Sequence, residues 1–158
     1  PEMRYMSTAT VERWAEAKQR QERERGFSAE VGARAIEIRR QLILELHRAG
    51  AGLLLGSDAP QVFNVPGYSM HNELEFLVAA GLTPYEALHT GTAAVADFLG
   101  INTGVVTVGR DADLVLLDAN PLEDIRNTQR IHGVMLRGAW YPSSALEQRL
   151  APYLQQDN

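Results

Sequence analysis

Apolar positions recur at helical spacing through the first half of the chain. Val31, Ala35, Ile38, Leu42 and Leu46 fall three or four residues apart, and Ile36 and Ile43 widen the stripe. That spacing predicts an amphipathic helix. Ser28 stands where an N-cap belongs, and Ala49-Gly50 closes the pattern with glycine in a good C′ position. Upstream, Val11, Trp14 and Ala17 predict an earlier helix, capped by Ser7 or Thr8, running to about residue 25 and stopped by Gly26. Its second half, residues 18–25, is almost wholly polar. The arginines and glutamates there alternate, which reads as a solvated face in preference to a nucleic-acid arm.

From residue 51 the pattern changes. Ala51-Gly52-Leu53-Leu54-Leu55-Gly56 is apolar without alternation, as in a strand buried on both faces of a parallel sheet. Ser57-Asp58-Ala59-Pro60 follows, then a polar loop with Asn64, Pro66 and Gly67. Met70, Leu74, Leu77 and Val78 predict a helix over 69–80, closed by Gly81. Thr83-Pro84-Tyr85-Glu86 is a capping box with proline at N1, and it opens a second short helix. Thr92 is expected to cap a third over 93–99, ended by Gly100. Strand-like runs then occupy 104–108, 113–117, 131–136 and 139–141, with turn-like residues at 109–112 and Arg137-Gly138. A last helix is expected from Ser143 or Ser144 to about 154. The chain shows no internal repeat and no low-complexity tract.

Composition narrows the class. At 158 residues with 45% hydrophobic and 22% charged positions, the chain has the apolar content of a folded domain. The absence of cysteine removes disulfides, thiolate metal sites and cysteine nucleophiles. A net charge of −5 disfavours nucleic acid as a partner. No apolar run is long enough to cross a membrane, so no membrane partner is expected. No secretory signal opens the chain, which makes the cytoplasm the default compartment and leaves a processed export signal open. The first residue is Pro1, consistent with a removed initiator methionine or with the tail of something longer.

Asp58 is the position that can carry chemistry. A carboxylate directly after a buried parallel strand sits at the strand's C-terminal end, the edge where α/β sheets and barrels bind ligands. The plain alternative is a turn or cap aspartate, which Asp-Ala-Pro invites. His71 lies beyond the same loop, near a helix start, and is a candidate substrate contact; its plain alternative is a surface or capping histidine. His71-Asn72-Glu73 has the His-x-Glu form of zinc deaminases, which fails here for want of cysteine. Gly67-Tyr68-Ser69-Met70-His71 approaches a nucleophile elbow but has His for the second Gly and follows a loop. Residues 104–110 have the gap of a phosphate loop without its Lys and Ser/Thr. His47, His89 and His132 read as structural or surface residues, and no two histidines have metal-ligand spacing.

Three stretches together resemble the C-terminal part of the metal-dependent amidohydrolase superfamily, closest in style to its imidazolonepropionase-like and prolidase-like members. Residues 49–59 look like the last barrel strand, with Gly56-Ser57-Asp58 where the family usually has Gly-Thr-Asp. Residues 67–88 look like the helices after it. Gly104, then 109–122, looks like the returning strands of a small β-sandwich. The implied fold class is α/β: a C-terminal fragment of a (β/α)8 TIM-type barrel, with its last strand and flanking helices, plus sandwich return strands. The implied division is 1–100 as partial barrel (last strand 52–57, helices 69–99), 101–142 as sandwich strands, and 143–158 as C-terminal helix and tail.

The resemblance implies that Asp58 binds a catalytic divalent metal, commonly zinc, and handles the proton of the attacking water. His71 is carried over only as a candidate substrate contact. The implied activity is hydrolysis of a C–N bond in a small amide, dipeptide or cyclic amide, with one or two metals in the complete enzyme. The family's His-x-His pair does not occur here, and a full barrel needs about 250 residues. The chain is therefore expected to be a fragment, inactive alone, that self-associates or relies on the N-terminal part of the barrel. The competing function is a non-catalytic α+β module that shares the ancestry and binds a partner or small ligand. Substrate identity and metal count depend on loops and residues outside this sequence.

Overall fold

Local capping decides most of the helical part. The computed structural model describes residues 2–25 and 28–154. After a 3-10 turn over Glu2–Tyr5, helix α1 spans Thr8–Arg25. Ser7 Oγ accepts the Thr10 amide at 3.2 Å, satisfying a donor that the first turn leaves free. The predicted stop at Gly26 lies outside the described residues. Helix α2 spans Ala29–Arg48, and Ser28 caps it by accepting the Val31 amide at 3.2 Å. Gly50, at φ +78°, turns the chain out of the helix as the sequence predicts. Helices α3 (Tyr68–Ala79), α4 (Pro84–Thr90) and α5 (Ala93–Leu99) follow. Both halves of the Thr83/Glu86 capping box are formed at the start of α4. Thr92 departs from expectation. It makes no cap bond to α5; its hydroxyl donates back to the Leu88 carbonyl at 2.8 Å.

The expected strand over 52–57 does not form. Residues 51–59 have no regular secondary structure, and the Leu55 amide donates to the Thr90 carbonyl at 3.0 Å. A strand is stabilised by its ladder, and among the described residues no neighbouring strand reaches this segment. The predicted strand over 104–108 is likewise a series of bends and turns, with Val106 and Val108 pointing into solvent.

The remaining predicted strands form one antiparallel sheet in the order β1-β2-β3, from Leu114–Leu117, Ile131–Leu136 and Ala139–Pro142. Arg137 and Gly138 link β2 to β3 with φ of +49° and +79°, the two positive values that a tight two-residue hairpin turn requires. The Arg137 amide donates to Asp113 Oδ1 at 2.7 Å, which anchors the turn beside the start of β1. A 3-10 turn over Ile125–Gln129, absent from the sequence reading, fills the connection between β1 and β2. Helix α6, Ser143–Leu150, ends earlier than expected and passes into a 3-10 turn over Ala151–Tyr153.

The core is small. Leu74 of α3, Ala87 of α4 and Ile125 are buried together, with Leu55, Leu77, Val78 and Leu88 packed around them. So the 51–59 segment contributes a core side chain without being a strand. Helix α2 has no buried residue: Val31, Ile36, Ile38, Leu42 and Leu46 of its predicted apolar stripe remain exposed.

Candidate active-site loop

Asp58 sits on the connection that follows the apolar run 51–56, as expected, but on irregular backbone. Its φ is +53°, a left-handed conformation that aspartate tolerates better than most residues because its short side chain bonds locally. That local bond is present: Gln61 Nε2 donates to Asp58 Oδ2. The rest of the loop is tied down around it. Asn64 Nδ2 donates to the Ser57 carbonyl, and the buried Ser69 hydroxyl donates to Ser57 Oγ at 2.8 Å. Ser57 thereby fixes the residue before Asp58 to the first turn of α3, while the Asp58 carboxylate stays exposed.

The N-terminal segment lies across this loop at two points. Trp14 of α1 meets Phe63 edge-on, with ring centroids 5.9 Å apart, and Lys18 Nζ stands 5.8 Å over the same ring. Tyr5 stacks on Tyr68, the first residue of α3, at 5.5 Å. Sequence reading missed Gln61, Asn64 and these aromatic clasps. Gln61 and Asn64 carried a weak signal as polar loop residues, and the Tyr5–Tyr68 contact joins positions too far apart for spacing to reveal.

His71 belongs to a different wall. Its Nδ1 lies 3.0 Å from Thr128 Oγ1. The Thr128 hydroxyl gives its single proton to the Ile125 carbonyl, at 2.9 Å. Nδ1 is therefore the donor, and Nε2 is left as an acceptor. Burial pulls the imidazole below its ordinary pKa, opposed by the Glu75 carboxylate, so the neutral ring is favoured. The ring lines a cavity of about 500 Å³ with Met70, Leu74, Leu88, Leu117 and Ile131, and Asp58 does not line it. Two residues on in α3, desolvation raises the Glu73 carboxyl.

A metal does not fit these residues by themselves. Among the described residues no three His, Asp or Glu side chains converge as a ligand set, and Asp58 supplies one carboxylate. A catalytic zinc takes about three protein ligands.

Comparison with known proteins now decides the family. The model of the Amidohydrolase family matches residues 12–141, which include the Asp58 loop, α3 to α5 and most of the sheet. The chain belongs to the amidohydrolase family. Such proteins generally use divalent metals. A Bifidobacterium longum protein of known structure, assigned as a prolidase, is 39% identical with a TM-score of 0.58; the match covers 67% of this amidohydrolase chain and 29% of that one. The ochratoxinase of Aspergillus niger is 37% identical over 83 residues, 50% of this chain and 16% of that protein. Molinate hydrolase shares the fold at a TM-score of 0.62 and 23% identity, covering 96% of this chain and 35% of its own. The amidohydrolase chain thus spans between 16% and 35% of the length of these relatives.

Proposed function

We propose that this chain is the part of a metal-dependent amidohydrolase that presents Asp58 to a small amide, dipeptide or cyclic amide whose C–N bond is hydrolysed. The family match across the Asp58 loop is the observation that carries the reading. In the proposed role the Asp58 carboxylate takes a proton from the attacking water and passes it to the leaving nitrogen. An exposed carboxylate on a tethered loop suits that task, since it is accessible and the preceding residue, Ser57, is bonded to both Asn64 and Ser69. The other metal ligands are proposed to come from barrel segments outside the described residues. The exposed apolar stripe of α2 supports the same idea, because a helix of this pattern covers its stripe in a complete fold. Union with the rest of a barrel, or self-association, is the corresponding proposal for partners.

The test is a chimera. Residues 12–141 replace the matching segment of the Bifidobacterium longum relative, and hydrolysis of a dipeptide is measured with and without added zinc. The expected result is metal-dependent turnover, with Asp58→Asn lowering kcat by at least about 100-fold, the scale of a lost general acid–base group. The isolated chain is expected to show no turnover. Undiminished turnover in the Asp58→Asn chimera overturns the role of Asp58. A folded chimera that is inert with every amide tried favours the non-catalytic module.

A further inference from the structure

We infer that the cavity beside His71 is a binding site for a small neutral alcohol, which gives its hydroxyl proton to His71 Nε2 and lays its carbon body against the surrounding aliphatic side chains. The inference stands apart from the hydrolase reading above and needs no part of it. The cavity, of about 500 Å³, is lined from α3, α4, β1 and β2, and Met70, Leu74, Leu88, Leu117 and Ile131 give it an apolar wall. A concavity of that size and lining suits a small organic molecule. His71, Thr92, Asp113 and Thr128 are the polar side chains that line it. What each of them has left to offer sets the chemistry of the occupant.

Thr128 is buried; its hydroxyl gives its proton to the Ile125 carbonyl and accepts from His71 Nδ1. The Thr92 hydroxyl donates to the Leu88 carbonyl, and Asp113 Oδ1 accepts the Arg137 amide. Thr92 and Asp113 are exposed, so water completes their remaining bonds. His71 differs from all three. It is half-buried, and its Nε2 is bonded to none of the described residues. No polar side-chain atom of the described residues is both sealed from solvent and unbonded, so Nε2 keeps open surface. With the Nδ1 proton held by Thr128, the neutral ring presents a lone pair and no proton at Nε2. Burial keeps the ring in that neutral form at pH 7. The site thus offers one acceptor in an apolar surround, and a hydroxyl supplies the matching donor. A ketone of the same shape brings a second acceptor, which leaves two lone pairs unmatched once water is expelled. A carboxylate adds a charge to the same mismatch, beside the Asp113 carboxylate. An ammonium has three donors for one acceptor and loses its hydration to an aliphatic wall.

The test uses the 158-residue chain, labelled with nitrogen-15 in its histidines, and two ligands of one ring size, cyclohexanol and cyclohexanone. The expected result is a saturable shift of the His71 Nε2 resonance with the alcohol and affinity about tenfold weaker for the ketone, the scale of one hydrogen bond to a group otherwise left unpaired. His71→Phe keeps a ring in the wall without the acceptor, and is expected to erase the preference. Ile131→Phe narrows the cavity, and is expected to weaken both ligands while leaving their ratio. Thr128→Val removes the group that holds the Nδ1 proton while keeping the side-chain shape. The ring is then free to carry its proton on Nε2, and the preference is expected to fall below about threefold. This variant decides the matter where His71→Phe does not fold. Equal affinity for alcohol and ketone, saturable binding of neither, or a preference that survives both His71→Phe and Thr128→Val overturns the inference. Binding of neither together with self-association of the chain gives the cavity to apolar side chains of a second copy. Because these titrations measure no hydrolysis, they fail independently of the Asp58 chimera.

Discussion

Strand β2 and the segment 51–56 are both short apolar runs, yet they end in different states. Along β2, Val134 lies opposite Val115 on one side and Tyr141 on the other, and Met135 opposite Leu114 and Trp140. Gly133, Val134 and Met135 each meet ladder partners on both edges. The backbone of 51–56 has the bond from Leu55 to Thr90, and Leu54 is exposed. Apolar content is similar; the supply of a neighbouring strand differs. A helix closes its hydrogen bonds within its own residues, whereas a strand borrows them from elsewhere in the chain. That is why the predicted helices α1 to α5 all form from local signals, while two of the predicted strands do not.

The sharpest way to break the contrast is at the centre of the sheet. A Cβ on Gly133 would collide with Trp140 Cζ2 and stand 2.9 Å from the Tyr141 carbonyl oxygen. The indole and the carbonyl both belong to the paired strand β3. Gly133→Val is therefore expected to destabilise the fold by about 2–3 kcal/mol, the scale of an overpacked core. Urea unfolding followed by circular dichroism measures it. An unchanged midpoint would mean that the sheet contributes no more to stability than the irregular segment does.

Legibility followed the same division. The caps Ser28 and Thr83, the Arg137-Gly138 turn and the spacing of Leu74 and Leu77 state their structure within a few residues, and the fold agrees with them. Thr92 misled because a threonine hydroxyl before a helix can accept from the first helix amides or turn back to donate to a preceding carbonyl, and here it donates to Leu88. The valines of 104–108 misled because β-branched residues only favour a strand when a neighbour is present. Within the candidate site, Asp58 was visible from its place after an apolar run. His71 was visible as a residue type, but its bond to Thr128 spans 57 positions of sequence and had no local signal. The same holds for the stack of Tyr5 on Tyr68.

The capping box offers a smaller and cleaner test of local against borrowed stability. Glu86 Oε2 accepts both the Thr83 amide and the Thr83 hydroxyl at 2.7 Å, and His47 Nε2 lies 3.0 Å from Oε1. The Thr83 amide first, then its hydroxyl, then His47, lower the Glu86 carboxyl to about 2. Its folded value lies below its unfolded one near 4.5. The stability it supplies is thus complete above the unfolded value and is lost as the pH falls toward 2. Thr83→Ala is expected to cost about 1 kcal/mol at neutral pH, as for other lost caps. The variant is also expected to lose less on acidification than the parent, because the carboxylate has one favourable contact fewer to give up. Acid titration of the unfolding midpoint for both proteins checks this. Parallel curves would show that Glu86 owes its low pKa to groups other than the Thr83 hydroxyl.

The smallest expected effect separates the two kinds of apolar segment most directly. Valine and threonine have nearly the same shape, so exchanging them changes polarity with little change in volume. At Val134, half-buried in β2, the new hydroxyl enters a paired and packed surface, and Val134→Thr is expected to cost about 1 kcal/mol. Val108 is 102% exposed, beyond any packing partner. Val108→Thr is expected to change stability by less than about 0.5 kcal/mol, as for other surface positions. If the two substitutions cost the same, residues 104–108 are packed as a strand in solution, and the contrast between sheet and irregular segment disappears. If a partner chain or a larger amidohydrolase scaffold is added and only then does Val108→Thr become costly, the segment is a strand that lacked its neighbour. The pair of substitutions therefore measures the one quantity that local sequence leaves out, which is the presence of the adjoining edge.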